Sequence, residues 1–420
     1  MNPLPRMIRV RQNFPSPPPL DLAATLSAEF AKLRPRLVPG ARIAVGVGSR
    51  GVTNLAAIVL AVLGELRAAG TQPFIIPAMG SHGGATPEGQ CELLASYGVT
   101  EETMGVPIRA SLEVREVGVS AEGAAVFCST EALAADGIVL INRIKPHTDF
   151  FSPTLGSGVL KMCVIGLGKR TGAATMHLTA SRIGHERAIR GMADVLLRTA
   201  PILGGVGILE NQFHDTARLV VLPREEMAHG EDSLLPEARA LMPLLPFDEI
   251  DLLIVDRIGK NISGSGMDPN VIRRAVDGYS SSLVREGRPA PFIRRIFVRD
   301  LTEETHGNAI GIGLADVTTT RLVRATDARA TSINALTALA PQCAKIPMHF
   351  DTDREAIERA LASLPLADPA AARIVRIADT LSLVELEISE SMWTGEKLPP
   401  ALTACGELHA PDFDAAGNLL

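Results

Sequence analysis

Aromatic side chains are scarce in this sequence, with two tyrosines, one tryptophan and twelve phenylalanines among 420 residues. The core therefore falls to Ala, Leu, Val and Ile, which suit helices packed on a buried sheet. Cysteine is sparse too. The five cysteines, at 91, 128, 163, 343 and 405, are odd in number, scattered and free of any Cys-x-x-Cys pair. That argues against a disulfide framework and against a structural zinc or iron–sulfur centre. No run of eighteen apolar residues occurs, so no membrane span is expected. The sequence does not open on a basic segment followed by an apolar stretch, so no signal peptide is expected and the cytoplasm is the expected compartment. Positive charge is not concentrated either: 41 Lys and Arg face 47 Asp and Glu, for a net charge of −6. Nucleic acid is a poor partner for such a chain, because neutralising phosphates takes clustered bases. The short basic cluster from Arg285 to Arg299 is broken by Phe, Ile and Pro, and reads as a solvated face.

What is present is a globular composition, 46% hydrophobic and 21% charged, on a chain too long for one ordinary core. Residues 1–20, with Pro15, Pro17, Pro18 and Pro19 close together, read as an extended arm. A strand over Ala41–Gly48 leads through Ser49-Arg50-Gly51 into a helix over about Thr53–Ala69, closed by Gly70. A second strand, Pro73–Ala78, ends at Gly80-Ser81-His82-Gly83-Gly84. The next helix has Thr86 as cap and Pro87 in its first turn. The rhythm continues with strand Gly137–Ile144, a Gly-rich segment at 156–168, helices from about Gly172 and over 185–199, strands near 204–209 and 217–222, and a helix over 223–241.

After a proline-bearing linker at 241–248 a new series opens: strand Asp251–Arg257, loop Gly259–Asp268, helix Pro269–Val276 and strand Ile293–Arg299. A helix at 331–340, another capped by Asp351 or Asp353, and a closing strand pair within 373–388 follow. Alternating strands and helices predict two α/β domains with mostly parallel sheets. They are expected at 1–245 and 246–395, with residues 396–420 free to fold back on the first and the active site in the interdomain cleft. A homo-oligomer is compatible with the sequence, and oligomeric state stays open.

Gly46-x-Gly48-x-x-Gly51 has the spacing and the strand–helix context of a dinucleotide fingerprint. Such a site also needs an acidic residue at the end of the second strand to hold the ribose hydroxyls. That strand reads Pro73-Phe74-Ile75-Ile76-Pro77-Ala78-Met79, without Asp or Glu, and Arg50 stands in the loop where bare backbone should meet pyrophosphate. An NAD-dependent 2-hydroxy-acid dehydrogenase using Gly46–Gly51 is thus the second reading. An anion-binding turn around Arg50 is better supported.

Four polar residues stand among glycines or at strand ends: His82, His147 in Lys145-Pro146-His147-Thr148, Lys161 at the end of Gly156-Ser157-Gly158-Val159-Leu160-Lys161, and His177. Glycine lets a bulky ligand approach the backbone and is a poor choice for pure core packing. Plainer readings exist. A lone histidine at a strand end is often a satisfied polar group, and Lys161 suits an ordinary phosphate-binding lysine. Lys169-Arg170 is either an anion site or a solvated pair. His185, His214, His229, His349 and His409 lack comparable surroundings, and His306 stands in a polar loop with no role that follows from sequence.

The order of these residues resembles the nickel-pincer-nucleotide lactate racemases. That family has a Gly-Thr-His loop, a second histidine, a Gly-rich loop with a lysine, and a third histidine sixteen residues after the lysine. Here Gly80-Ser81-His82, His147, the loop ending at Lys161, and His177 at the same interval correspond. Arg50 matches the family's arginine in the first strand–helix turn, and Lys260 matches a lysine in an early loop of the second domain. The resemblance implies that Lys161 tethers a nickel pyridinium-3,5-bisthiocarboxylic acid mononucleotide and that His177 is the nickel ligand. It also implies that His82 and His147 are the acid–base pair, and that Arg50 and Lys260 hold the substrate carboxylate or the cofactor phosphate.

The implied activity is racemisation or epimerisation of a 2-hydroxy acid through hydride transfer and a planar 2-keto acid. Imidazole suits nickel, and histidine is poised near neutral pH for proton transfer. A non-catalytic carrier of the same cofactor is a further alternative, one in which His82 and His147 are dispensable. Val47 and Gly51 stand where the family has Asp and Pro. Gly83-Gly84 replaces its Arg-Pro, and the stretch from His147 to Lys161 is longer and includes Phe150-Phe151. These departures alter substrate contacts, and point past lactate to a larger or more apolar 2-hydroxy acid, or to a sugar acid.

Overall fold

The computed structural model describes residues 4–48, 51–80, 82–148, 150–274, 290–395 and 398–420. The chain forms two compact units: Pro17–Met242, and Met1–Ser16 together with Pro243–Leu420. The arm expected at 1–20 is in part a strand, β1 (Met7–Gln12), of the second unit's sheet. Its alternation, with Ile8, Val10 and Gln12 buried between exposed Arg9 and Arg11, is short enough to be hidden by the prolines that follow.

The first unit is built on a five-stranded sheet. Its strands are β2 (Arg42–Val47), β3 (Gln72–Pro77), β6 (Gly137–Arg143), β7 (Ile202–Glu210) and β8 (Thr216–Pro223), and β4 (Val114–Val119) with β5 (Ala125–Ser129) forms a separate antiparallel hairpin. The order is β3-β2-β6-β7-β8, parallel except for the last pair. Side chains alternate between two cores, as the two-residue period of a strand requires. In β6, Ile138 and Leu140 enter one core while Val139 and Ile141 enter the other. The helix Leu55–Ala68 buries Leu55, Ile58, Val59, Val62, Leu63 and Leu66, the stripe of a helix lying on a sheet. Thr86 caps the helix Pro87–Ser96 by accepting from the Gly89 N–H at 3.1 Å, as its sequence predicts. Helices Leu167–Ile183 and His185–Thr199 put Met176, Ile189 and Met192 on the opposite core.

The second unit holds an eight-stranded sheet ordered β12-β11-β10-β9-β13-β14-β1-β15. The members β9 (Glu249–Ile258), β10 (Phe292–Leu301), β11 (Val317–Thr319), β12 (Met348–Phe350) and β13 (Ile374–Ile377) are parallel. Antiparallel pairing joins β13 to β14 (Glu385–Ser389), β14 to β1, and β1 to β15 (Leu402–Ala404). The terminal segment thus extends this sheet, where the sequence reading let it fold back on the first domain. The helix expected at 269–276 spans Pro269–Ile272, and its continuation at 275–276 lies outside the described residues. Thr352, not either aspartate, caps the helix Asp353–Ala362 by accepting from Glu355 N–H at 3.1 Å.

Asp353 is instead fully buried, accepting from Arg299 at 2.9 Å, Arg321 at 2.8 Å and the Leu419 N–H at 2.9 Å. Removing Asp353 takes a buried carboxylate from both arginines and from the Leu419 N–H, leaving Arg299 with Asp256 and Arg321 with Asp300. Asp353→Ala is expected to lower the unfolding free energy by about 3 kcal/mol or more, read from thermal or urea denaturation; a loss below about 1 kcal/mol would mean that the arginines find water.

Candidate functional site

From β2 the chain moves to β3 on one side and then returns to β6 on the other. The carboxyl ends of β2 and β6 therefore mark a topological switch point, where α/β sheets bind ligands because the two crossovers diverge there. Asn142 stands near the end of β6, and the chain beyond it carries Lys145 and His147 and comes back antiparallel to itself. Lys145 and Ser157 exchange both backbone bonds at 2.8 Å. Asn142 donates to the Gly158 carbonyl at 2.8 Å. These bonds start a helical turn, Val159–Lys161, beyond the carboxyl end of β6.

The turn continues into a π-helical stretch, Met162–Gly166, and then into Leu167–Ile183, so the helix expected from about Gly172 begins thirteen residues earlier. A π-bulge inside an α-helix frequently marks a functional site. The glycines here serve close approach. A Cβ on Gly48 would lie 2.7 Å from the Met162 methyl and 3.3 Å from Asn142 Oδ1, and one on Gly166 would lie 2.8 Å from the Ala78 carbonyl oxygen. A Cβ on Gly46 would meet the Leu140 side chain at 2.6 Å. Two glycines of the apparent dinucleotide fingerprint are thus required by the protein's own packing.

Lys161 lies half-buried, with Nζ hydrogen-bonded to Nε2 of His147. The His147 ring stacks on Phe150 at 4.4 Å between centroids, with planes 22° apart. Phe150 stacks on His185 at 4.8 Å and 9°. His177 meets His185 edge-on, at 6.5 Å and 77°. All three distances fall within the range at which rings interact. Three of the sequence-predicted residues, His147, Lys161 and His177, therefore share one ring cluster in the first unit, and His185, set aside in the sequence reading, joins them. Gly184, at a φ of 87°, ends one helix and starts the next, and so brings His185 back to His177, eight residues before it, without a periodic pattern in the sequence.

His82 sits at the end of β3 in a loop held from below. Gln90, fully buried, donates from Nε2 to the carbonyls of Gly80 at 3.1 Å and His82 at 3.3 Å. Lys260 lies in the second unit, after β9, donating from Nζ to the Gly264 carbonyl at 2.9 Å. Arg50 is outside the described residues. His306 is exposed, in a left-handed turn. The pair Lys169-Arg170 divides: Arg170 is exposed, whereas Lys169 is 1% exposed and donates to the Pro77 carbonyl. Burial lowers the Lys169 ammonium to about 8. Its backbone, at φ 54° and ψ −153°, takes a conformation that only glycine adopts without strain.

Sequence reasoning also missed Glu231. It stands at a core-facing position of the helix Arg224–Ala240, between Met227 and Leu234. Its Oε1 accepts the Leu160 N–H at 2.9 Å, and a Cβ on Gly158 would lie 2.1 Å from its Oε2. This carboxyl therefore caps the turn that ends at Lys161. Among the described residues, no group of three or more His, Cys, Asp and Glu is arranged to hold a metal ion.

Two solved structures share this architecture. The lactate racemase apoprotein from Thermoanaerobacterium thermosaccharolyticum aligns at a TM-score of 0.53 and 14% identity, over 90% of this chain and 99% of that one. The chain has a lactate-racemase-like fold. A protein from Thermotoga maritima aligns at 0.52 and 13% identity, over 88% and 99% of the two chains. No family model and no curated protein sequence matches.

Burial is the largest influence on Glu231 and raises its carboxyl from 4.5 to about 7. A folded-state value above the unfolded one means stability that is full at low pH and is lost as pH rises through the folded value. The shift of about 2.5 units corresponds to about 3 kcal/mol. Glu231→Gln keeps an acceptor for Leu160 without the charge. Its unfolding free energy relative to the parent is expected to rise by up to about 3 kcal/mol between pH 5 and pH 8, measured by denaturant titration; a difference independent of pH would place the charge in solvent.

Proposed function

We propose that this chain is a racemase or epimerase of a 2-hydroxy acid that carries a nickel-pincer nucleotide on Lys161. The observation that supports it most directly is the meeting of Lys161 with His147 at the switch point of the first sheet, in a cluster that also includes His177. The residues fit the group. Lys161 offers a half-buried amine beside His147, beyond the carboxyl end of β6. His177 offers the one imidazole donor that such a ligand requires from the protein, since the rest of the metal's donors belong to the nucleotide.

When bound, the cofactor supplies reversible hydride acceptance, and the protein supplies orientation and proton handling. His82 and His147 hold and return the proton of the substrate hydroxyl, one for each enantiomeric face. Lys260 and Arg50 are cations suited to the carboxylate or to the nucleotide phosphate. The ring of Phe150 beside His147 favours an apolar substituent at the substrate's α-carbon over a short methyl group. The alternative of an NAD-dependent dehydrogenase loses its main support, because Gly46 and Gly48 are accounted for by contacts with Leu140, Met162 and Asn142.

Protein from a host able to make the cofactor is expected to show a mononucleotide adduct on the peptide containing Lys161, with nickel near stoichiometry. His177→Ala is expected to keep the adduct and lose the metal. His82→Ala and His147→Ala are each expected to lower turnover about 100-fold or more at unchanged adduct occupancy. Absence of adduct and nickel from such a host would defeat the proposal; full occupancy with turnover indifferent to both histidines would make the chain a carrier.

A further inference from the structure

Five aromatic or cationic side chains converge in the first unit, and one of them has no part in the chemistry proposed above. His147, Phe150 and His185 form a triangle of rings with centroid separations of 4.4, 4.8 and 6.2 Å. The last distance is well short of what two histidines in line on opposite faces of Phe150 would give. The two imidazoles therefore lie side by side, each stacked on Phe150, with their own planes tilted by 32°. His177 closes the array by its edge contact with His185.

The four rings come from three elements. His147 and Phe150 come from the loop after β6, His177 from the helix Leu167–Ile183, and His185 from the first position of the helix His185–Thr199. That second helix is held in turn. Glu186 accepts from Ser152 at 2.6 Å, Thr154 at 3.0 Å and Arg190 at 2.9 Å. The loop that bears His147 and Phe150 is thereby tied to the residue adjoining His185. Burial of the helix face at Ala188 and Ile189 fixes the same end.

We infer that His185 is a positioning residue, whose ring sets the planes of His147 and His177 relative to each other through Phe150 and its own edge contact. The inference rests on the roles proposed for those two histidines. A flat ring in van der Waals contact restricts χ2 of its neighbour, which an imidazole on a loop otherwise explores broadly. The role inferred uses the flat face and the edge of the ring, which phenylalanine keeps and alanine removes, so phenylalanine at 185 is expected to serve and alanine is not.

The test has two parts. In apoprotein labelled at histidine, the ring resonances of His147 and His177 are expected to stay single and sharp in His185→Phe, and to broaden or split in His185→Ala. Phe150→Ala is expected to disturb His147 as His185→Ala does, with the fold checked by thermal melting. In cofactor-loaded protein, His185→Ala is expected to lower kcat about tenfold or more with KM within about threefold, and His185→Phe to recover most of the loss. Unchanged His147 and His177 resonances in His185→Ala would overturn the inference, and so would a phenylalanine variant as impaired as the alanine one. The apoprotein measurement needs neither cofactor nor substrate. Its failure is thus distinguishable from failure of the proposed activity, which is read from the Lys161 adduct and from His82→Ala.

Discussion

A single buried carboxyl governs the geometry of the turn that carries Lys161. Glu231 accepts the Leu160 N–H from beneath and leaves no room for a side chain at Gly158. The turn it caps ends at Lys161, and the π-helical stretch that follows brings Met162 against Gly48. Burying a carboxyl costs free energy unless its hydrogen bonds are made. Here part of that cost is met by backbone N–H groups at the start of a helix, where negative charge or an acceptor is favoured. The position of Lys161 is thus determined from within the same core, by a helix more than sixty residues later in the chain.

The strand–helix alternation of both units was readable because buried parallel strands are continuous apolar runs, and helices announce themselves by caps and by the 3.6-residue stripe. Arg42–Val47, Gln72–Pro77, Gly137–Arg143 and Glu249–Ile258 all fall within two residues of expectation. The β4–β5 hairpin was not readable. The residues of β4 are half-exposed or exposed and include Arg115 and Glu116, β5 is only five residues long, and their pairing has a bulge between Glu116 and Gly118. Nor was β1, because six residues of alternating character beside a proline cluster resemble an arm.

At the site, His147, Lys161 and His177 were visible from spacing, since glycine-rich surroundings single them out. Phe150 and His185 were not, because stacking between a loop and a helix start leaves no periodic trace. Glu231 left a faint one: an acidic residue within an apolar stripe. Lys169 shows the opposite failure. Two adjacent bases look equivalent in a sequence, yet one faces solvent while the other is drawn inward to a carbonyl by a backbone that a helix does not ordinarily permit.

The location of β1 has a bearing on how the molecule is made. The strand at 7–12 pairs with 385–389 and 402–404, more than 370 residues further along the chain. The unit at Pro17–Met242 has all its strands close at hand and can close on itself during synthesis. The eight-stranded sheet cannot finish until those later strands exist, and pairings so distant along the chain carry a large loop-closure entropy. Throughout that interval the apolar face of β1, with Ile8 and Val10, waits unpaired, and it is the natural segment for a chaperone to shield.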